Sequence, residues 1–308
     1  MTRAGLHVQL AQQQMRIGNT GGAIEQLRHA LGAAPDDGFA HALLALCLSD
    51  SRRLHAAAHE AGLALSLAPE MPFAHLAAGI VATNRRRFRA AEEHLAQARA
   101  LAPDDSNVLR WLARLYAATD RRKLVEPTLR EALGHAPDDP DILADLGWHH
   151  LERNDLDAAE HYATAALRID AEAAEANVLR GHLRLRRGDI AGARDHALLA
   201  LRHDAAHGSA LRLMCHIKMR ENPFLGLWWR YSVWIGGFGG TRTIAVLIGM
   251  FLAYALSTQL LFDAGYLTAA DSLTYVWLAF CLYTWVGAGW FHKAIQKELQ
   301  SVRLKGDF

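Results

Sequence analysis

Seventeen histidines are the first residues here that could do chemistry. His55 and His59 stand four apart, one helical turn, the spacing at which two imidazoles can share a metal ion. No third ligand is spaced beside them and no His-Glu-x-x-His motif occurs, so they are expected to face solvent. His149 and His150 are adjacent and would point in different directions on a helix. Gly236-Gly237-Phe238-Gly239-Gly240 has the glycine content of a phosphate loop. It lacks the following Lys-Ser/Thr and follows no alternating strand, so a hinge accounts for it better. There is no Gly-x-Ser-x-Gly elbow and no recognisable nucleophile–base set. The expectation is therefore no enzyme, no metal and no cofactor.

The charge balance narrows the partners. Basic and acidic residues number 33 and 32, so no global field draws in nucleic acid. Arg85-Arg86-Arg87 and Arg184-Leu185-Arg186-Arg187 fall at helix ends or turns. They read as solvated ends, or as contacts to anionic lipid or to acids of a partner. Cys47, Cys215 and Cys281 are dispersed and form no Cys-x-x-Cys pair, which suits reduced thiols. Met1 to Leu10 lacks the basic start and apolar run of a secretory signal.

The elements that hold these residues repeat along the chain. Pro35, Pro69, Pro103 and Pro137 are spaced 34 residues apart, three of them in the phrase Ala-Pro-Asp-Asp. The frame continues at Asp170-Ala171 and Asp204-Ala205. Small residues keep the same frame: Ala30, Ala64, Ala98, Ala132, Ala166 and Ala200 in one place, and Ala11, Ala45, Gly79, Ala113, Gly147 and Gly181 in another. Small side chains at fixed places let paired helices approach closely. Proline ends the second helix of each unit, and the Asp after it can cap the next helix.

This period and these positions resemble the tetratricopeptide repeat family, with Leu10, Leu44, Leu112 and Leu146 beside the small residue of the first helix, and Leu27 and Leu95 in the second. The resemblance covers roughly residues 4–220: six repeats and a closing helix from about Gly208. Where the family favours Trp, this sequence has His7, His41, His75, Leu109, Leu143 and Asn177; the three histidines are expected to pack. Pro127, inside the second helix of the fourth repeat, predicts a shortened or kinked helix. The resemblance implies an all-α right-handed solenoid whose first helices line a groove for a peptide or helix. Its groove positions here are Phe39, Ala42, Leu46, Phe73, Leu76 and Ile80, then Asn107, Arg110, Arg114, Trp148, His182, Arg212 and His216. That groove would be apolar at first and basic beyond, suiting an apolar and acidic protein segment; packing and solvation are the bland reading of the same residues. The Lys/Asn set that grips a C-terminal carboxylate in some members is missing.

After residue 221 the composition changes. Residues 243–262 and 272–291 contain no charged side chain, each long enough for a ~30 Å hydrocarbon core. They predict a two-span transmembrane hairpin over 243–292, without the ionisable groups of an ion path. The joining turn carries Asp263 and Asp271, and the flanks carry Arg230, Arg242, Lys293, Lys297, Arg303 and Lys305. The positive-inside rule then puts both termini and the repeats in the cytoplasm. Between repeats and hairpin, over 222–242, Trp228, Trp229, Arg230 and Trp234 suggest an interfacial helix before the glycine hinge. Ala245, Gly249, Ala253 and Ser257 recur every four residues, a stripe for contact with the second span or, as the second choice, with another membrane protein. Residues 293–308 form a basic tail.

The expected whole is a solenoid over 1–221 anchored in a bacterial inner membrane. It would recruit or assemble a protein partner, with the lipid bilayer and an integral membrane protein as further contacts and no nucleic acid. A structural accessory subunit held mainly through the hairpin is the alternative.

Overall fold

The computed structural model describes residues 2–203, 207–221 and 240–282. Each repeat folds as two helices: α1 (Arg3–Arg16) with α2 (Thr20–Ala33), α3 (Gly38–Asp50) with α4 (Leu54–Leu67), and α5 (Pro72–Asn84) with α6 (Phe88–Leu101). The series continues through α7 (Ser106–Ala118), α8 (Arg122–His135), α9 (Pro140–Glu152), α10 (Leu156–Ile169), α11 (Ala174–Arg186), α12 (Ile190–His203) and α13 (Gly208–Glu221). No strand occurs among the described residues. The chain divides into two compact units, residues 1–183 with 199–207, and residues 184–198 with 208–308.

In the first unit the aspartates after the prolines cap as expected. Asp37 accepts hydrogen bonds from the amides of Phe39 and Ala40, Asp105 from Asn107, and Asp139 from Asp141 and Ile142. Each cap satisfies amides that have no partner inside the helix. First and second helices pair within a repeat, and α3 packs on α5 and α5 on α7. The small residues make this possible. Ala11, Ala45, Ala57 and Ala91 are fully buried, and a Cβ on Gly79 would lie 2.6 Å from Leu95 Cγ.

In three repeats the polar residue at the position of His41 has a defined task. Nε2 of His41 donates to Pro35 O at 2.9 Å, Nε2 of His75 to Pro69 O at 2.8 Å, and Nδ2 of Asn177 to Ala171 O at 2.9 Å. Each ties its first helix to the carbonyl of the preceding turn, six residues back. In the first two repeats Nδ1 reaches the second helix: His7 Nδ1 meets Gln26 at 2.8 Å and His41 Nδ1 meets Glu60 at 2.6 Å.

Two sequence expectations are met only in part. α8 contains Pro127 yet runs 14 residues, the same as α2, α4, α6 and α10, so it is not shortened. Proline removes only its own amide, and the carbonyl left unpaired belongs to Lys123, whose exposed position leaves it open to water. In the second unit, α14 (Gly240–Asp263) turns through Gly265, at φ +82°, into a helix from 267 to at least 282. Among the described residues no helix is long and apolar enough to cross a membrane. The second expected span runs past 282, outside the described residues, as do the interfacial segment with Trp228, Trp229, Arg230 and Trp234 and the basic tail.

The small-residue stripe does not join these two helices. Tyr254 stacks on Trp277 at 4.8 Å and its hydroxyl lies 3.3 Å from Thr274 Oγ1. That contact takes the neighbouring helix face, leaving Gly249, Ala253 and Ser257 exposed; the Ala245 side chain is outside the description. Aromatic stacking buries more area than a run of small residues, and it selects the face.

Candidate partner-binding face

On the first helices of the first unit, the groove positions differ in exposure from repeat to repeat. Phe39 and Phe73, both half-buried, meet at 5.0 Å between ring centroids, beside half-buried Leu46. Leu76 and Ile80 lie in the core instead, packed with Val108, Leu112 and Leu115 of the next repeat. Ala42 is buried as well. Asn107 is exposed.

Arg110 and Arg114 are bound within the chain. Arg110 Nη1 donates to Asp141 Oδ2 at 2.7 Å, and Arg114 donates to both oxygens of Asp145 at 2.8 Å. Arg110 Nε sits 3.5 Å from the same Asp145. Burial works against the Arg114 charge, but Asp145 outweighs it, and the guanidinium is held above its usual value. The guanidinium also rests 5.0 Å from the Trp111 ring. The middle of the stripe is thus charge-paired, not the free basic surface the sequence suggested.

Further along, Trp148 and His182 meet edge to face at 5.1 Å, linking the fifth and sixth repeats. Beside them His149 is buried, with Nε2 lacking a hydrogen bond and lying 3.8 Å from Glu126. Burial lowers its affinity for a proton, with Glu126 partly opposing. In the second unit Arg212 and His216 are exposed, and Arg212 bonds Ser209 at 3.1 Å.

His55 and His59 are exposed, and among the described residues no group of three or more His, Cys, Asp or Glu side chains could hold a metal ion. Sequence reasoning missed the counter-ions Asp141 and Asp145. Each stands 31 residues after its arginine, one repeat less one helical turn, so the 34-residue frame held the signal.

Comparison with known proteins supports this architecture. Tetratricopeptide repeat family models match residues 76–144, 125–172 and 144–210. No curated protein matches. A thermophilic TPR protein of Thermus thermophilus is 19% identical, with a TM-score of 0.54 over 60% of this chain and 97% of that one. A tetratricopeptide repeat protein of Parabacteroides merdae is 15% identical, with a TM-score of 0.57 over 70% of this chain and 84% of its own. PilW, a type IV pilus biogenesis factor, is 18% identical, with a TM-score of 0.50 over 70% of this chain and 99% of its own. At such identities the likeness speaks for the fold, and with the matched family models it makes the helical array of this chain a tetratricopeptide-repeat solenoid.

Proposed function

We propose that this chain is a non-enzymatic scaffold that takes an apolar segment of a partner protein on its first-helix stripe and holds it at a bacterial inner membrane. The observation that carries this reading is the aromatic pair Phe39–Phe73 with Leu46, left partly exposed on adjoining first helices. Large aromatic rings in partly open sites anchor interfaces. Because Arg110 and Arg114 are already paired, an apolar segment suits the stripe better than an acidic one.

The membrane part rests on α14. Phe251, Leu252, Leu256 and Leu260 are 53%, 52%, 64% and 66% exposed, an apolar face that water solvates poorly and lipid would cover. Asp263 and Asp271 at the turn, against basic flanks, favour a cytoplasmic solenoid. A second reading, an accessory subunit held through the helical hairpin, is favoured by the outward stripe of Gly249, Ala253 and Ser257.

The test is purification of the full chain in mild detergent, with mass spectrometry of what co-elutes, beside Phe39→Ser and Phe73→Ser variants of verified helicity. The scaffold reading expects a stoichiometric partner lost from the variants. Retention by folded variants points to the hairpin, and recovery of the wild type alone and monomeric rejects both readings.

A further inference from the structure

Every turn between the two helices of a repeat places one residue in the left-handed region. These are Gly18, Arg52, Arg86, Asp120, Asn154 and Gly188, with φ of 72°, 61°, 59°, 58°, 62° and 85°. Glycine accepts this conformation freely and asparagine readily, whereas a long side chain is strained there. The next residue is the N-cap of the second helix. Asn19, Asp155 and Asp189 cap with their side chains, bonding the amides of Gly22, Ala158 and Gly192. Arg53 and Arg87 hold the same position and make no cap hydrogen bond.

Turns Gly18-Asn19 and Gly188-Asp189 therefore carry the locally favoured pair, and Arg52-Arg53 and Arg86-Arg87 forgo it at both positions. Packing does not explain the exchange. All four arginines are exposed, and among the described residues none pairs with a carboxylate. Arg121, at the N-cap of α8, differs because Glu92 holds it through two hydrogen bonds.

Since α3 packs beside α5, the turns 51–53 and 85–87 lie at the same end of the stack, about 10 Å apart. The turns at the opposite end carry exposed Asp36, Glu70 and Asp138. Within the first unit one set of turns is thus rich in arginine, with Asp50, Asp120 and Asp155 among them, and the other is rich in carboxylates. We infer that the edge formed by Arg52, Arg53, Arg86 and Arg87 rests on the surface of an anionic lipid bilayer. Opposite charge on the far edge would turn the solenoid so that its arginines face the lipid phosphates. Neither 51–53 nor 85–87 holds an aromatic side chain on which a nucleobase could stack, which disfavours single-stranded nucleic acid. The inference rests on the membrane attachment proposed above and adds the lipid class and the edge that meets it.

The test uses the full chain reconstituted into nanodiscs of phosphatidylcholine alone or mixed with phosphatidylglycerol, followed by hydrogen exchange. In anionic discs at low salt, amides of 51–53 and 85–87 should exchange at least about fivefold more slowly than in neutral discs, the worth of a single surface-bound arginine. Turns 35–37 and 69–71 should not change, and high salt should erase the difference. Replacing both pairs by the chain's own Gly-Asn, as Arg52→Gly, Arg53→Asn, Arg86→Gly and Arg87→Asn, should abolish the slowing while raising the melting temperature. Equal exchange in both discs would overturn the inference while leaving membrane attachment intact. Failure to enter either disc would overturn both. Greater slowing by duplex DNA than by anionic discs would assign the edge to nucleic acid and overturn the lipid reading.

Discussion

At the scale of single residues, histidine does structural work at several repeat positions. His41 and His75 close the turn before their helices, and His149 is buried without a hydrogen bond on Nε2. Burial holds the imidazoles of His94 and His149 below their ordinary value of 6.5, with neighbouring His75 adding to the effect at His94. In the unfolded chain these rings take up protons as pH falls through 6.5, while in the folded chain they stay neutral to lower pH. The unfolded state then binds more protons, so stability is full above that value and declines below it. Thermal melts between about pH 7 and pH 5 should show a falling midpoint, with a flatter slope for the His94→Gln/His149→Gln double variant. An unchanged slope would assign the dependence to other groups. Glu92 and Glu126, held down by hydrogen bonds from Arg121 and Arg130, act only at lower pH.

Between elements, the fourth and fifth repeats are fastened by ions as well as by apolar packing. Asp145 is 10% exposed and serves both Arg110 and Arg114, while Asp141 is 43% exposed and serves Arg110 alone. Removing Asp145 strands the Arg114 guanidinium in a poorly hydrated place and takes the second carboxylate from Arg110, whereas removing Asp141 leaves a site that water can enter. Asp145→Ala should therefore cost about 2–4 kcal/mol in chemical denaturation. Asp141→Ala should cost less than about 1 kcal/mol. Comparable losses would mean that the two carboxylates share the load. The period is what made the helices, their pairing and their aspartate caps legible beforehand. The ion pairs were harder to see, because each joins residues on two helices whose facing sides depend on how the repeats stack.

At the scale of the first unit, stacked repeats lean on one another, and burial is lower at its first repeat than at its second. Leu6, Leu10 and Ile17 are 48%, 36% and 53% exposed, whereas α3 buries ten of its 13 residues. Peptide-resolved hydrogen exchange should be fastest across α1 and α2 and slowest across α3 to α7. Uniform protection would imply that another surface covers the first repeat. At this scale the sequence was legible in outline: helices throughout the described residues, the repeat count, and an apolar region after residue 240.

By itself the sequence determined where helices begin and end and which residues must be small, because capping, proline and close approach act within a few residues or one repeat. It also marked the positions that face along the first helices. Only the tertiary structure decided which of those stay open. Leu76 and Ile80 went to the core, Arg110 and Arg114 to aspartates of the next repeat, and Phe39 and Phe73 remained partly uncovered. It likewise turned Gly249, Ala253 and Ser257 outward, since Tyr254 stacked on Trp277. The reason is common to all of these. Helix periodicity fixes the direction of a side chain relative to its own axis, but exposure and charge depend on what the neighbouring helix presents at that point.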